Sequence, residues 1–242
     1  VVAYNHMANT HIAETIVVAL DFYGVIGIGE KTKIKYAKIL QGIDVNSAQI
    51  TKDTYPLGKI KYDELMEQVC TKHTLEFEIA SNCKKILEKL FAENFRFVIV
   101  TSRKDNQIQQ TKDFCKLHKL PIKFFHNTNN ETKEHLCRRI HASAIIDDSL
   151  HKIEELKQVP ILGFYLKTNW NAHISTNDKD YINIESWTEF YNHLISMKEM
   201  HEAICFANKI KNNLYNSELI YNMWKENPLK CKGWYKDYQK RR

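Results

Sequence analysis

Residues 16–29 read IVVALDFYGVIGIG, an apolar run that stops at an acid. The first five residues are apolar and rich in β-branched side chains, and Asp21, Phe22, Tyr23 and Gly24 follow. A short, unbroken apolar run bounded by turn residues predicts a strand buried on both faces, as in a parallel sheet. Four more runs of this kind follow: FRFVIV from Phe95, stopping at Thr101; IKFFH from Ile122; SAIID from Ser143, ending at Asp147 and Asp148; and ILGFYL from Ile161. Helical spacing lies between and beyond them, over 33–40, 62–71, 81–92, 106–118, 132–140, 150–157 and from 186 onward. The 81–92 segment is the clearest, with Cys83, Ile86, Leu87 and Leu90 on one face. Alternating strands and helices predict an α/β protein whose parallel sheet is covered on both faces. Ligands of such sheets bind beyond the carboxyl ends of the strands. Asp21, Thr101, Asp147 and Asp148 all stand at such ends, so they converge on one rim. A single acid there reads as a turn residue; three strand ends with polar groups at one edge read as a site.

The 242 residues, 43% hydrophobic and 26% charged, suffice for one substantial core, or a core with a small appended unit. No apolar run is long enough to cross a membrane, and no secretion-signal pattern opens the sequence. The segment before Ala8 reads as a leader outside the fold. Six cysteines, Cys70, Cys83, Cys115, Cys137, Cys205 and Cys231, lie scattered without CxxC or Cys/His metal spacing, which predicts reduced thiols in a cytoplasmic protein. His135, His141 and His151 surround the Asp147–Asp148 pair without ligand spacing and read as surface residues. The net charge of +6 suits anionic partners and equally suits a Lys-rich composition.

Four segments in order resemble the haloacid dehalogenase superfamily of hydrolases: LDFYGV from Leu20, VIVTS from Val98, Lys133, and AIIDDS from Ala144. The resemblance covers about residues 16–166. It implies a Rossmann-like parallel sheet with a small helical cap inserted at 26–80 and a core over 8–25 and 81–200; beyond what it covers, 201–242 reads as a helical basic extension. Within it, Asp21 corresponds to the carboxylate nucleophile, Thr101 to the donor to the transferred group, and Lys133 to the lysine that neutralises charge. Asp21, Asp147, Asp148 and the backbone carbonyl of Tyr23 correspond to the ligands of Mg2+. Ser102 and Arg103, just past Thr101, read as substrate-binding residues, with a surface cation as the other reading of Arg103. The activity implied is hydrolysis of a small phosphorylated substrate.

Tyr23 departs from that pattern. Most phosphatases of the superfamily carry an aspartate there as general acid and base, whereas a phenol has an ordinary pKa near ~10. Asp-x-Tyr-Gly instead resembles the 2-haloacid dehalogenases, which need no acid for a leaving halide and no metal. Those enzymes lack the final acid pair that AIIDDS keeps, and they carry an arginine soon after the first motif, where this chain has none before Arg96. Three readings stay open: a phosphatase impaired by Tyr23, a dehalogenase, and a degenerate relative that binds a partner. Asp148 also has a structural reading as the N-cap of the helix at Leu150, and Gly27 and Gly29 read equally as hinges or as a turn. At the C-terminus, KCKGWYKDYQKRR from Lys230 interleaves aromatic and basic residues. That segment offers a nucleic-acid surface, or Trp224, Trp234 and Tyr235 pack on the body.

Overall fold

The computed structural model describes residues 15–129, 131–156, 159–171, 174 and 180–211. Six parallel strands form the main sheet in the order β5-β4-β1-β6-β7-β8. They are β1 (Ile16–Leu20), β4 (Phe95–Thr101), β5 (Ile122–Asn127), β6 (Ala144–Asp147), β7 (Leu162–Leu166) and β8 (Ile182–Ile184). A two-stranded antiparallel ribbon pairs β2 (Gly27–Ile28) with β3 (Glu78–Ile79). The helices are α1 (Glu30–Gln41), α2 (Gly58–Lys72), α3 (Cys83–Ala92), α4 (Asp105–Leu117), α5 (Lys133–Arg139), α6 (Leu150–Glu154) and α7 (Trp187–Lys211).

Strand alternation divides the core in two. Val18, Leu20, Phe97, Ile99 and Ile146 share one buried cluster with Ile86, Leu87 and Leu90 of α3 and with Trp187, Phe190 and Leu194 of α7. Ala19, Val98, Val100 and Ile145 point the other way, against Leu136 and Cys137 of α5 and Ile153 of α6. This is the period-two consequence of burying both faces, and it explains why the strands read as unbroken apolar runs.

The five sequence-predicted strands all form, and the helices lie within a few residues of expectation. Two pieces were not foreseen, the ribbon and β8. The ribbon strands have two residues each, too few to show alternation. The short strand β8 pairs with β7 through Phe164↔Ile182 and Leu166↔Ile184. The residues between the ribbon strands fold as α1 and α2, joined by a 3-10 turn over Ser47–Gln49. Cys70, Cys83, Cys115 and Cys137 are buried free thiols. The leader before Ala8, Cys231 and the aromatic-basic segment from Lys230 lie outside the described residues, as does the side chain of Cys205. No helix among the described residues is long and apolar enough to cross a membrane.

Candidate active site

Register brings the rim residues together. Pairing of β1 with β4 sets Leu20 beside Ile99, and pairing with β6 sets Leu20 beside Ile146. Asp21 therefore emerges between the ends of β4 and β6, level with Asp147, and its backbone N–H donates to the Ile146 carbonyl at 3.0 Å. The chain then turns sharply, with the N–H groups of Ile26 and Gly27 both donating to the Phe22 carbonyl. Gly24 sits in the left-handed region, φ +79°, and a Cβ there would lie 1.7 Å from Asp148 Oδ2. The turn can thus press against the Asp148 carboxylate only because position 24 is glycine.

Lys133 opens α5, whose N-cap Thr132 accepts from the His135 N–H at 3.1 Å. Its fully buried amine donates to Asp21 Oδ1 at 2.8 Å and to Asp147 Oδ2 at 2.6 Å. Burial alone would lower the Lys133 pKa, but the Asp147 and Asp21 carboxylates outweigh it and raise it. The other Asp147 oxygen accepts from the Ser149 N–H at 2.9 Å. Asp148 has no cationic side chain within ion-pair distance among the described residues, and burial, then Asp21 and Asp147, hold its pKa well above the carboxylate range. It is not the N-cap of α6, since Ser149 takes that position. One carboxylate oxygen from each of Asp21, Asp147 and Asp148 lies within 4.8 Å of the others.

The remaining sequence-predicted residues take varied places. Thr101 is buried at the end of β4, and its hydroxyl accepts from the Arg103 N–H at 3.4 Å. Ser102 is exposed. Arg103 is no surface cation: it is buried against the rings of Phe22 and Phe77, and its Nη1 donates to Thr74 Oγ1 at 2.7 Å. Its Nε and Nη2 are buried with no partner among the described residues. The Tyr23 ring packs edge-on against Phe77. Burial, followed by Tyr62, Cys70 and Asp148, pushes the Tyr23 phenol well above its ordinary pKa, so it is a protonated hydroxyl at neutral pH. Gly27 and Gly29 permit close approach, since a Cβ at either would fall within 3 Å of the Phe22, Phe77 or Tyr23 rings. His135, His141 and His151 are exposed.

Three contributors escaped the sequence. Asn171 is buried and donates to the backbone carbonyls of Asp148 and Leu166, both at 2.9 Å, tying the loop after β7 to the acid pair. Lys33 of α1 and Tyr62 of α2 line a cavity of about 450 Å3 whose wall also includes Tyr23, Gly24 and Asp148. A lysine in the pattern KTKIKYAK looks like one more solvated charge. Its spacing of four from Ala37, which is also buried, was the available signal.

A parallel sheet with a lysine-bridged pair of carboxylates and an unpaired third at one strand-end rim defines an α/β protein with a carboxylate-centred, oxygen-rich site. Among solved structures, a predicted phosphatase from Clostridium acetobutylicum is similar with a TM-score of 0.53 and 14% identity, over 75% of this chain and 98% of that one. A haloacid dehalogenase-like hydrolase from Streptococcus pneumoniae gives 0.52 and 12%, over 74% and 98%. A haloacid dehalogenase family hydrolase from Deinococcus radiodurans, with bound phosphate and sodium, gives 0.51 and 11%, over 74% and 94%. The fold of this chain is that of the haloacid dehalogenase superfamily of hydrolases. No protein-family profile matches the sequence, and no curated protein matches it.

Proposed function

We propose that the protein hydrolyses a small phosphate monoester through an aspartyl intermediate at Asp21, with Mg2+ as cofactor. The observation that carries this reading is Asp148, a buried carboxylate with no cationic side chain in ion-pair reach among the described residues, next to the Lys133-bridged Asp21 and Asp147. Buried carboxylates without a counter-charge are costly, and hard oxygen donors suit a hard dication. Asp21, Asp147, Asp148 and the Tyr23 backbone carbonyl would hold it, and it would supply charge neutralisation to the phosphoryl oxygens.

Asp21 attacks phosphorus, the ester P–O bond breaks, and water later cleaves the aspartyl phosphate to return the carboxylate. Lys133 holds Asp21 in place and offsets charge on the transferred group, and Thr101 donates to a phosphoryl oxygen. Tyr23, neutral and above its ordinary pKa, is a poor proton shuttle, so the leaving oxygen takes its proton from water. Esters with good leaving groups are therefore the better substrates. The α1–α2 segment acts as the cap over the rim, and the buried free thiols accord with a cytoplasmic protein. In the Mg2+-loaded protein, wild type should hydrolyse an aryl phosphate and Asp21→Asn should fall to background; equal rates would sink the reading.

The dehalogenase reading keeps one observation, Tyr23 itself together with the buried Arg103. Halide release from a 2-haloacid without added metal would select it.

A further inference from the structure

Lys33 is a buried cation, only 7% exposed, whose amine is held by neutral groups: the Ile50 carbonyl at 3.0 Å and the Tyr62 hydroxyl at 3.3 Å. The rings of Tyr23 and Tyr62 flank it, with their centroids 5.3 and 5.5 Å from Nζ. Among the described residues no carboxylate lies within ion-pair distance of it. Three other charged groups of the same cavity wall have partners. Lys52 pairs with Asp63, Asp53 pairs with Lys59, and Glu30 accepts from Ser47. Asp148, also on the cavity wall, belongs to the carboxylate cluster with Asp21 and Asp147.

A lysine amine has three hydrogens, and two are used here. The Tyr62 hydroxyl accepts from Lys33, and its own hydrogen goes to no acceptor among the described residues. Two donors, one of them charged, therefore face the cavity whose wall Asp148 shares. Two donors side by side match the two oxygens of a carboxylate, and a charge-assisted pair of this kind is among the stronger hydrogen bonds. The apolar parts of Ile28, Ile50, Met66 and Trp170 line the same cavity, which suits a compact carbon skeleton.

We propose that Lys33 and Tyr62 form a carboxylate-binding subsite, and that the substrate is the phosphate monoester of a small hydroxy acid whose hydroxyl is a phenol or an enol, a leaving oxygen that departs without a proton from Tyr23. The reacting end rests on the phosphate-ester reading; the carboxylate end stands on the cavity wall alone. Lys33 and Tyr62 are specificity residues: they touch the part of the ligand that leaves, not the phosphorus.

The test compares a phosphorylated hydroxy acid with its primary amide. Wild type should favour the acid in kcat/KM by about tenfold or more, mainly through KM. Lys33→Met should remove most of that preference, Lys33→Arg should restore part of it, and Tyr62→Phe should weaken it severalfold. An equal kcat/KM for acid and amide in wild type, or a preference that survives Lys33→Met, would overturn the proposal. A second measurement separates its failure from that of the phosphatase reading. The unphosphorylated hydroxy acid and its amide are titrated calorimetrically into wild type and into Lys33→Met. Binding of the acid alone, lost in Lys33→Met, supports the subsite even if no ester is hydrolysed. Equal behaviour of acid and amide in wild type counts against it even if esters are hydrolysed.

Discussion

Lys33 carries a measurable signature of its surroundings. Burial lowers its pKa to about 8 from an ordinary 10.5, against the opposing pull of Glu30, Cys70 and Asp148. Below pH 8 the amine is protonated both folded and unfolded, and the folded state bears the whole penalty. Between about 8 and 10.5 the unfolded chain binds more protons, so stability rises with pH, and the gain is complete above 10.5. Comparing wild type with Lys33→Met cancels the other titrations. Chemical denaturation at pH 7.5 and at pH 10.5 should therefore shift the difference in wild type's favour, by up to about 3 kcal/mol. A flat difference would mean that the amine titrates near its ordinary value. Tyr23 lies beside the same amine, which shapes the outcome of restoring an acid there. Tyr23→Asp should raise the rate on an alkyl phosphate, whose leaving group needs a proton, by up to ~10²-fold, with little change on an aryl phosphate. Lys33 would hold the new carboxylate ionised and blunt it as an acid, so Tyr23→Asp combined with Lys33→Met should give the larger rise. Steady-state rates on both esters decide this, and no rise on the alkyl ester in either variant would show that position 23 is not where the proton is missing.

The element on which the site depends most is the turn after β1. Gly24 and Gly42 share a left-handed backbone, φ +79° and +71°, but differ in surroundings. An added methyl at Gly42, the C-cap of α1, meets nothing within 4 Å, whereas at Gly24 it meets Asp148 Oδ2 at 1.7 Å. Gly42→Ala should lose only the backbone term, about 1–2 kcal/mol. Gly24→Ala should lose more than that, and should also weaken Mg2+ binding because Asp148 must move. Thermal melts of both variants, with and without Mg2+, make the comparison. Equal losses would mean that the turn and the acid pair are not mechanically linked.

Across the whole molecule, the buried charged side chains among the described residues are Asp21, Asp147, Asp148, Lys33, Arg103 and Lys133, three acids against three bases. They gather around one rim and its cavity, and with all three acids ionised, as a bound cation would hold them, their formal charges cancel. A dication and a phosphoryl dianion added together leave that balance intact, while either alone upsets it. Mg2+ and a phosphate mimic should therefore raise the melting temperature more in combination than the sum of their separate effects. Ligands at ~100 times their Kd stabilise by ~2.7 kcal/mol. The double variant Asp147→Asn, Asp148→Asn should lose the Mg2+ response. Additive shifts, or a response unchanged in the double variant, would count against a shared metal and phosphate site.

Much of this was legible in the chain itself. Strands such as Ile16–Leu20 and Phe95–Thr101 declare themselves because burial on both faces demands unbroken apolar runs. The residue that ends each run is fixed to the same sheet edge by parallel pairing. That local grammar was enough to name Asp21, Thr101, Asp147 and Asp148, and the spacing of the resemblance was enough to add Lys133. The ribbon of Gly27–Ile28 with Glu78–Ile79 was not legible, because two-residue strands carry no periodicity and exist only through a partner about fifty residues away. Nor was the role of Lys33, since a lysine on a charged helix looks the same in sequence whether water or Tyr23 and Tyr62 surround it. Which rim residues exist was determined by local pattern. Which cation of the cavity has no carboxylate in reach among the described residues, and how closely Gly24 meets Asp148, was decided only by the packed chain, because burial and proximity are properties of tertiary contact.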